Sequence, residues 1–287
     1  MGSAQKRAER GRRHRTAPKR TWSVREGRTV ESDKAMRSLS VLSSQEAKTV
    51  RNLVQGLLDL IYPPPAGCPL CGAGRDQGFC QSCLDRMAPL MGLPYCETCG
   101  RFLVSAAAQN PCQTCRATSQ PYLRNRSVAP HEGVFKDLIH ALKYNRRLWL
   151  APPLGRMMAS VAKADTAYRE VRVIVPIPLA PDRLRERRFN QSLLLAREIG
   201  FELGLRVVDA LVRQEQTPHQ TGMDAVARRA NVKGVFAVRK GRLVRGQTVV
   251  LVDDVFTTGS TVAEASRELL QAGAAEVLSL TFTTGKN

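Results

Sequence analysis

Eight cysteines stand as four Cys-x2-Cys pairs: Cys68 with Cys71, Cys80 with Cys83, Cys96 with Cys99, and Cys112 with Cys115. No other cysteine occurs in the 287-residue chain. Two thiolates separated by two residues can share one tight turn and grip one face of a tetrahedral Zn²⁺; a second such pair closes the tetrahedron. The segment reads as a duplication. Cys68-Pro-Leu-Cys71-Gly72 matches Cys96-Glu-Thr-Cys99-Gly100, and Cys80-Gln-Ser-Cys83 matches Cys112-Gln-Thr-Cys115. The two glycines fit knuckle turns that take a positive φ and aim N–H groups at sulfur. We therefore pair the first four cysteines as one site and the last four as another, with interleaved pairing the alternative. Four protein ligands leave no open position, so the two zincs are structural. Redox Cys-x2-Cys chemistry is the competing reading. A disulfide framework belongs to small secreted proteins and is disfavoured here.

The second constellation is Gln247-Thr-Val-Val-Leu-Val-Asp253-Asp254-Val-Phe-Thr257-Thr258-Gly259-Ser260-Thr261. Residues 249–252 form the apolar run of a strand buried on both faces of a parallel sheet. Two adjacent acids follow, then hydroxyl residues around a glycine. A helix over 262–272 closed by Gly273 comes next, and then a strand over 277–283. Loop N–H groups and a helix N-terminus suit a phosphate dianion. Gly259 allows close backbone approach. Two carboxylates beside such a cradle suit a polyhydroxyl group such as a ribose, and can hold Mg²⁺ through water. The stretch lacks both the Walker GK[ST] and the GxGxxG fingerprint.

Other elements must position these groups. A short apolar strand over 172–175 ends in Pro176-Ile177-Pro178-Leu179. A basic stretch (Arg183, Arg185, Arg187, Arg188) leads to Phe189-Asn190-Gln191, where Asn190 is a good N-cap for a helix over 191–203 ended by Gly204. The segments Phe135–Tyr144 (with the Leu142-Lys143-Tyr144 end), Thr217-Pro-His-Gln220 and Arg228-Arg-Ala-Asn231 complete the set. His131, His140 and His219 are candidate acid–base groups, although lone histidines are more often structural or surface residues.

Taken in order over about residues 50–285, these motifs resemble the ComF family. Its members join paired zinc ribbons to a type I phosphoribosyltransferase-like domain. The 247–261 stretch resembles the phosphoribosyl-pyrophosphate (PRPP) motif. The resemblance implies an α/β fold with a parallel five-stranded, Rossmann-like core and an N-terminal zinc-ribbon module. It assigns Asp253 and Asp254 to the ribose hydroxyls and Thr257, Thr258, Gly259, Ser260 and Thr261 to the 5-phosphate, with Mg²⁺ accompanying PRPP. Ile177, Pro178, Leu179, Arg185 and Arg187 are candidates for the pyrophosphate side; a solvated helix-entry face is the alternative for the arginines. The family is associated with natural transformation. Single-stranded DNA and a DNA-uptake helicase or recombination protein are thus expected partners. Transfer of phosphoribose from PRPP to a nitrogen acceptor is the alternative function. One departure is Arg188, where many members carry glycine.

Composition frames the rest. There are 44 Lys and Arg against 25 Asp and Glu, a net charge of +19. Twelve of those basic residues and only four acids fall before residue 38. Residues 1–46 read as a disordered basic arm, either a non-specific nucleic-acid tether or an extension ahead of a start near Met36. Residues 47–118 read as a helix plus double zinc ribbon, the helix over 47–62 being stopped by three prolines. Residues 119–287 read as the phosphoribosyltransferase-like domain. No apolar run approaches the roughly 18 residues that span a bilayer, so no membrane insertion is expected. The absence of a signal peptide pattern predicts a cytoplasmic location.

Overall fold

The computed structural model describes residues 67–74, 78–103, 105, 108–144, 147–214 and 234–285, all within the unit Val50–Asn287. The basic arm, the helix expected over 47–62, and the 217–220 and 228–231 motifs lie outside these residues. Each second cysteine pair starts a helix. Cys80 caps α1 (Gln81–Met91) and Cys112 caps α2 (Gln113–Ala117). Residues three apart share a helix face, so Cys83 and Cys115 come round to the side of their capping cysteines.

The remainder is an α/β chain. In order come β1 (Asn125–Pro130), α3 (Gly133–Tyr144), α4 (Ala151–Ala164), β2 (Val173–Pro176), α5 (Pro181–Arg187) and α6 (Gln191–Leu203). Then follow β3 (Arg206–Val207), β4 (Leu211–Arg213), β5 (Phe236–Val238), β6 (Thr248–Phe256), α7 (Ser260–Gln271) and β7 (Glu276–Thr284). Five strands form one sheet in the order β1-β7-β6-β2-β3, every neighbouring pair parallel. β4 and β5 form a separate antiparallel pair. The parallel five-stranded core implied by the family resemblance is present.

Strand periodicity sorts the core into two layers. Side chains alternate faces along a strand. Val250, Val252, Leu278, Leu280 and Ile174 join one buried cluster with residues of α3, α4 and α6. Val249, Leu251, Val277, Val173 and Val175 join the other, with Val262, Ala265 and Leu269 of α7. Both zinc ribbons are built into these layers. Met87 of α1 lies in the first cluster, and Cys96, Cys99 and Cys112 lie in the second. The second ribbon also covers the edge strand β1. Asn125 donates its backbone N–H to the Thr98 carbonyl at 2.8 Å and its side-chain amide to the Cys99 carbonyl at 3.1 Å. An uncovered edge strand is a template for unwanted pairing; here the ribbon engages the start of β1 at Asn125 and Arg126.

Two boundaries differ from expectation by more than one residue. β6 does not stop before the acids: Asp253, Val255 and Phe256 stay in register with Thr281, Thr283 and Thr284 of β7, because β7 runs long enough to keep the ladder closed. α7 starts at Ser260, directly after Gly259. Asn190 caps α6 as expected, its Oδ1 accepting from the N–H groups of Ser192 at 3.0 Å and Leu193 at 3.4 Å.

Arg188 ends α5 with φ 69°, the one positive-φ residue among the described non-glycines. Its N–H donates to the Leu184 carbonyl at 2.8 Å. An L side chain is strained there and glycine is not, which explains why glycine suits this position. Arg188→Gly is expected to raise stability by about 0.5–1 kcal/mol, seen as a small increase in Tm. A drop in Tm would show that the arginine side chain outweighs its backbone strain.

Candidate functional site

The eight cysteine sulfurs gather into two sets, Cys68, Cys71, Cys80 and Cys83, and Cys96, Cys99, Cys112 and Cys115. Within each set all sulfurs lie within 4.8 Å of one another. Sequential pairing is therefore the observed one. Cys71 and Cys80 sulfurs are 3.6 Å apart and Cys99 and Cys112 sulfurs 3.7 Å. A tetrahedron with Zn–S bonds near 2.3 Å has edges of about 3.8 Å, so both sets fit a tetrahedral zinc. The knuckle glycines take the expected conformation, φ 73° at Gly72 and 67° at Gly100. Gly100 is doubly required, since a Cβ would lie 2.5 Å from the Asn125 carbonyl oxygen. Burial alone would push the Cys96 thiol up. N–H groups of Cys112, Cys99 and Thr98 aimed at the sulfur outweigh it and bring the group down to about 7. A thiolate so held is a ready ligand.

The acid pair sits where the sheet divides. From β2 the chain crosses through α6 to β3 on one side; from β6 it crosses through α7 to β7 on the other. The crevice outside the carboxyl ends of β2 and β6 is thus a topological switch point, where open α/β sheets bind ligands. Ile177 closes its near wall, donating its N–H to the Val252 carbonyl at 2.9 Å. Pro178 and Leu179 follow it, half-buried.

Asp253 Oδ1 accepts from the Ser192 hydroxyl at 2.8 Å and from the Asp254 N–H at 2.9 Å. Burial first, and then the neighbouring Asp254 charge, push the Asp253 carboxyl up to about 7. The Ser192 hydroxyl, the Asp254 N–H and Lys143 pull the other way. Asp254 is only 4% exposed, and its Oδ2 pairs with Lys143 Nζ at 2.6 Å. His131 joins this corner. Its Nδ1 is 2.8 Å from Thr283 Oγ1, and burial together with the Lys143 charge lowers its pKa. Asn190 ties the two walls, its amide donating to the Ile177 carbonyl at 3.1 Å.

The hydroxyl loop follows directly. Thr258 and Ser260 hydroxyls are 2.8 Å apart, and the Ser260 N–H donates to Thr258 Oγ1 at 3.3 Å. Thr257 and Thr258 are exposed, while Ser260 and Thr261 open α7 half-buried. Gly259 has φ 84°, and a Cβ there would meet Phe256 Cζ at 2.5 Å. Only glycine fits this turn.

The two candidate arginines part company. Arg185 is exposed. Arg187 is buried, donating to Gln191 Oε1 at 3.2 Å and to the Tyr144 hydroxyl at 3.1 Å, with its guanidinium 4.9 Å from the Tyr144 ring centre. The structure thus brings together Asp253, Asp254, the 257–261 loop and Ile177, with Arg187 linked to them through the Lys143–Tyr144 end of α3. His140 packs its ring tilted against Tyr144, centres 4.6 Å apart; His219 lies outside the described residues. Sequence reasoning assigned no role to Lys143 or Ser192, and read Arg101 only as one of four ribbon arginines (with Arg75, Arg86 and Arg116) that are available to nucleic acid or simply solvated. Lys143 stood inside a quoted motif and Ser192 in the first turn of the helix read over 191–203, where their spacing to the acids was open.

Comparison with known proteins agrees with this geometry. Residues 57–118 match the double zinc ribbon domain family, and residues 190–286 match the phosphoribosyl transferase domain family. DNA utilization protein YhgH of Salmonella typhimurium is 34% identical over 220 residues, covering 74% of this chain and 94% of that protein. The chain belongs to the ComF family. Other ComF relatives are Competence protein F of Haemophilus influenzae, 28% identical over 70% of this chain and 87% of its own length, and Competence protein ComFC of Bacillus subtilis, 27% identical over 72% and 84%. The ComF assignment accounts for the joining of two four-cysteine sites to a parallel α/β sheet in one chain. Among the described residues no helix is long and apolar enough to cross a membrane.

Proposed function

We propose that this ComF protein binds PRPP with Mg²⁺ in the crevice between β2 and β6 and acts in the cytoplasm in the uptake and handling of single-stranded DNA. The observation that carries the first half is the Asp253–Asp254 pair at the sheet's switch point, followed at once by a glycine-centred hydroxyl loop that opens a helix. Asp253 and Asp254 accept hydrogen bonds from the two ribose hydroxyls. The N–H groups and hydroxyls of residues 257–261 hold the 5-phosphate. Mg²⁺, held by the ribose acids and the diphosphate, would supply charge neutralisation at the diphosphate. Lys143, paired with Asp254 at 2.6 Å, is our candidate cation for the diphosphate side. Its ammonium neutralises Asp254 when no ligand is present, and Arg185 lies exposed on α5. The names of the relatives, DNA utilization and competence proteins, support the DNA role. A DNA-uptake helicase or recombination protein is the class of protein partner that this role requires.

The pH dependence follows from Asp253. Its folded-state pKa stands near 7, above the ordinary carboxylate range, so the proton it holds favours the empty fold. That contribution fades as pH rises from about 4 towards 7. Ligand binding needs the carboxylate, so Mg·PRPP affinity should fall about tenfold per pH unit below 7 and level off above it. Calorimetric titration of Mg·PRPP from pH 5.5 to 8.5 checks this. A flat profile would remove Asp253 from the ligand. A single-stranded oligonucleotide titrated in the same buffer should also bind, and more weakly as salt increases. No binding would separate the DNA role from this chain.

A further inference from the structure

The second zinc ribbon and the phosphate loop meet at one side chain. Arg101 follows the Cys99-Gly100 knuckle, and its backbone carbonyl accepts from the Cys96 N–H at 2.9 Å. The residue is thereby part of the turn that holds two ligand cysteines. Its guanidinium reaches across to the hydroxyl loop, donating from Nη2 to the Thr258 carbonyl at 3.1 Å. The same group lies 5.9 Å from the centre of the Phe256 ring. That ring supports Gly259 from beneath and packs edge-on against Tyr122 at 6.3 Å.

The peptide between Thr258 and Gly259 is planar and trans, so its C=O and N–H point in opposite directions. A guanidinium that fixes the Thr258 carbonyl towards the ribbon therefore turns the Gly259 N–H away from it. A cationic donor on the carbonyl also polarises that peptide, which strengthens its N–H as a donor to an anion. Gly259 is the residue least able to hold a peptide orientation unaided, because its φ is free. The contact at Arg101 is thus made where the loop needs it.

We propose that Arg101 is a positioning residue through which the Cys96–Cys99–Cys112–Cys115 zinc centre sets the phosphate loop for its anion. The proposal rests on reading residues 257–261 as the 5-phosphate loop. It assigns the second ribbon a part in ligand binding as well as in folding. The knuckle anchors Arg101, and Arg101 orients the 258–259 peptide. Arg86 and Arg116 have no such contact with the loop among the described residues. Among the described residues the first ribbon makes no hydrogen bond to the loop.

The test uses the zinc-loaded full chain as wild type, Arg101→Ala and Arg101→Lys. Two readouts are taken: Mg·PRPP affinity by calorimetry, and amide hydrogen exchange across residues 256–261. Zinc content and Tm are measured alongside, so that a folding defect is visible. Arg101→Ala is expected to keep both zincs, to weaken Mg·PRPP about tenfold, and to speed exchange in the loop about tenfold. Arg101→Lys should recover most of the affinity, to within about threefold, because it restores a cationic donor without the planar fork. Unchanged loop exchange in Arg101→Ala overturns the proposal, as does unchanged affinity where the wild type binds. If the wild type binds no PRPP, the PRPP reading fails and loop exchange alone decides: faster exchange upholds the positioning role and unchanged exchange overturns it.

Discussion

Cys99→Ser is expected to leave a chain that holds one zinc instead of two and unfolds far below the wild type. Cys96, Cys99 and Cys112 are buried to 4% exposure or less. They share a core cluster with Val249, Leu251 and Val277, the centre of the parallel sheet. The ribbon also covers β1 through Asn125. A structural zinc held by four cysteines contributes on the order of 10 kcal/mol to folding, a loss comparable to the stability margin of a typical domain of about 5–15 kcal/mol. Cys71→Ser provides the contrast. Cys71 is exposed, and its ribbon reaches the sheet mainly through Met87 and partly buried neighbours. The expected result there is also one zinc per chain, but with a markedly smaller fall in Tm. Metal analysis and thermal unfolding of both variants check this. Equal falls would mean that the second ribbon is no more built into the core than the first.

The two acids are expected to separate binding from stability. Asp253 is half-buried beside another carboxylate, and both its partial desolvation and that charge disfavour its ionisation. Asp253→Asn removes the repulsion while keeping shape and an acceptor for Ser192. Its Tm should match or exceed the wild type at pH 8. Its Mg·PRPP affinity should fall roughly a hundredfold, the upper worth (about 3 kcal/mol) of one charge-assisted hydrogen bond to a ribose hydroxyl. Asp254→Asn should lose binding as well, but at a cost of about 3–5 kcal/mol in stability, because it leaves Lys143 without its counter-charge. Paired Tm and calorimetry measurements distinguish the two. A stable Asp254→Asn would mean that Lys143 finds water when its partner is removed.

Much of this was legible in local sequence because local rules govern it. Asn190 caps α6 by a contact two residues away, and Gly204 ends that helix with φ 67°. The Cys-x2-Cys-Gly pattern gives the knuckle because the turn, the ligands and the positive φ lie within five residues. The apolar run at 249–252 reads as a central strand because both its faces are covered. What stayed hidden was set by long-range contact. Nothing local distinguishes Arg187 from Arg185. The first is buried because Tyr144, 43 residues earlier, offers a ring and a hydroxyl, while the second faces solvent. Lys143 reads as the end of an amphipathic helix until the sheet brings Asp254 to its ammonium. Arg101 reads as one of several ribbon arginines until the fold carries Thr258, 157 residues later, to its guanidinium. The β6 extension through the acids depends on the length of its neighbour β7, which a single-strand reading does not weigh.

The most direct test is a calorimetric titration of Mg·PRPP into the zinc-loaded wild-type protein at pH 8, run beside Asp253→Asn. The site described above predicts saturable one-to-one binding by the wild type and a loss of roughly two orders of magnitude in the variant. No binding by the wild type, or equal binding by both proteins, would contradict it.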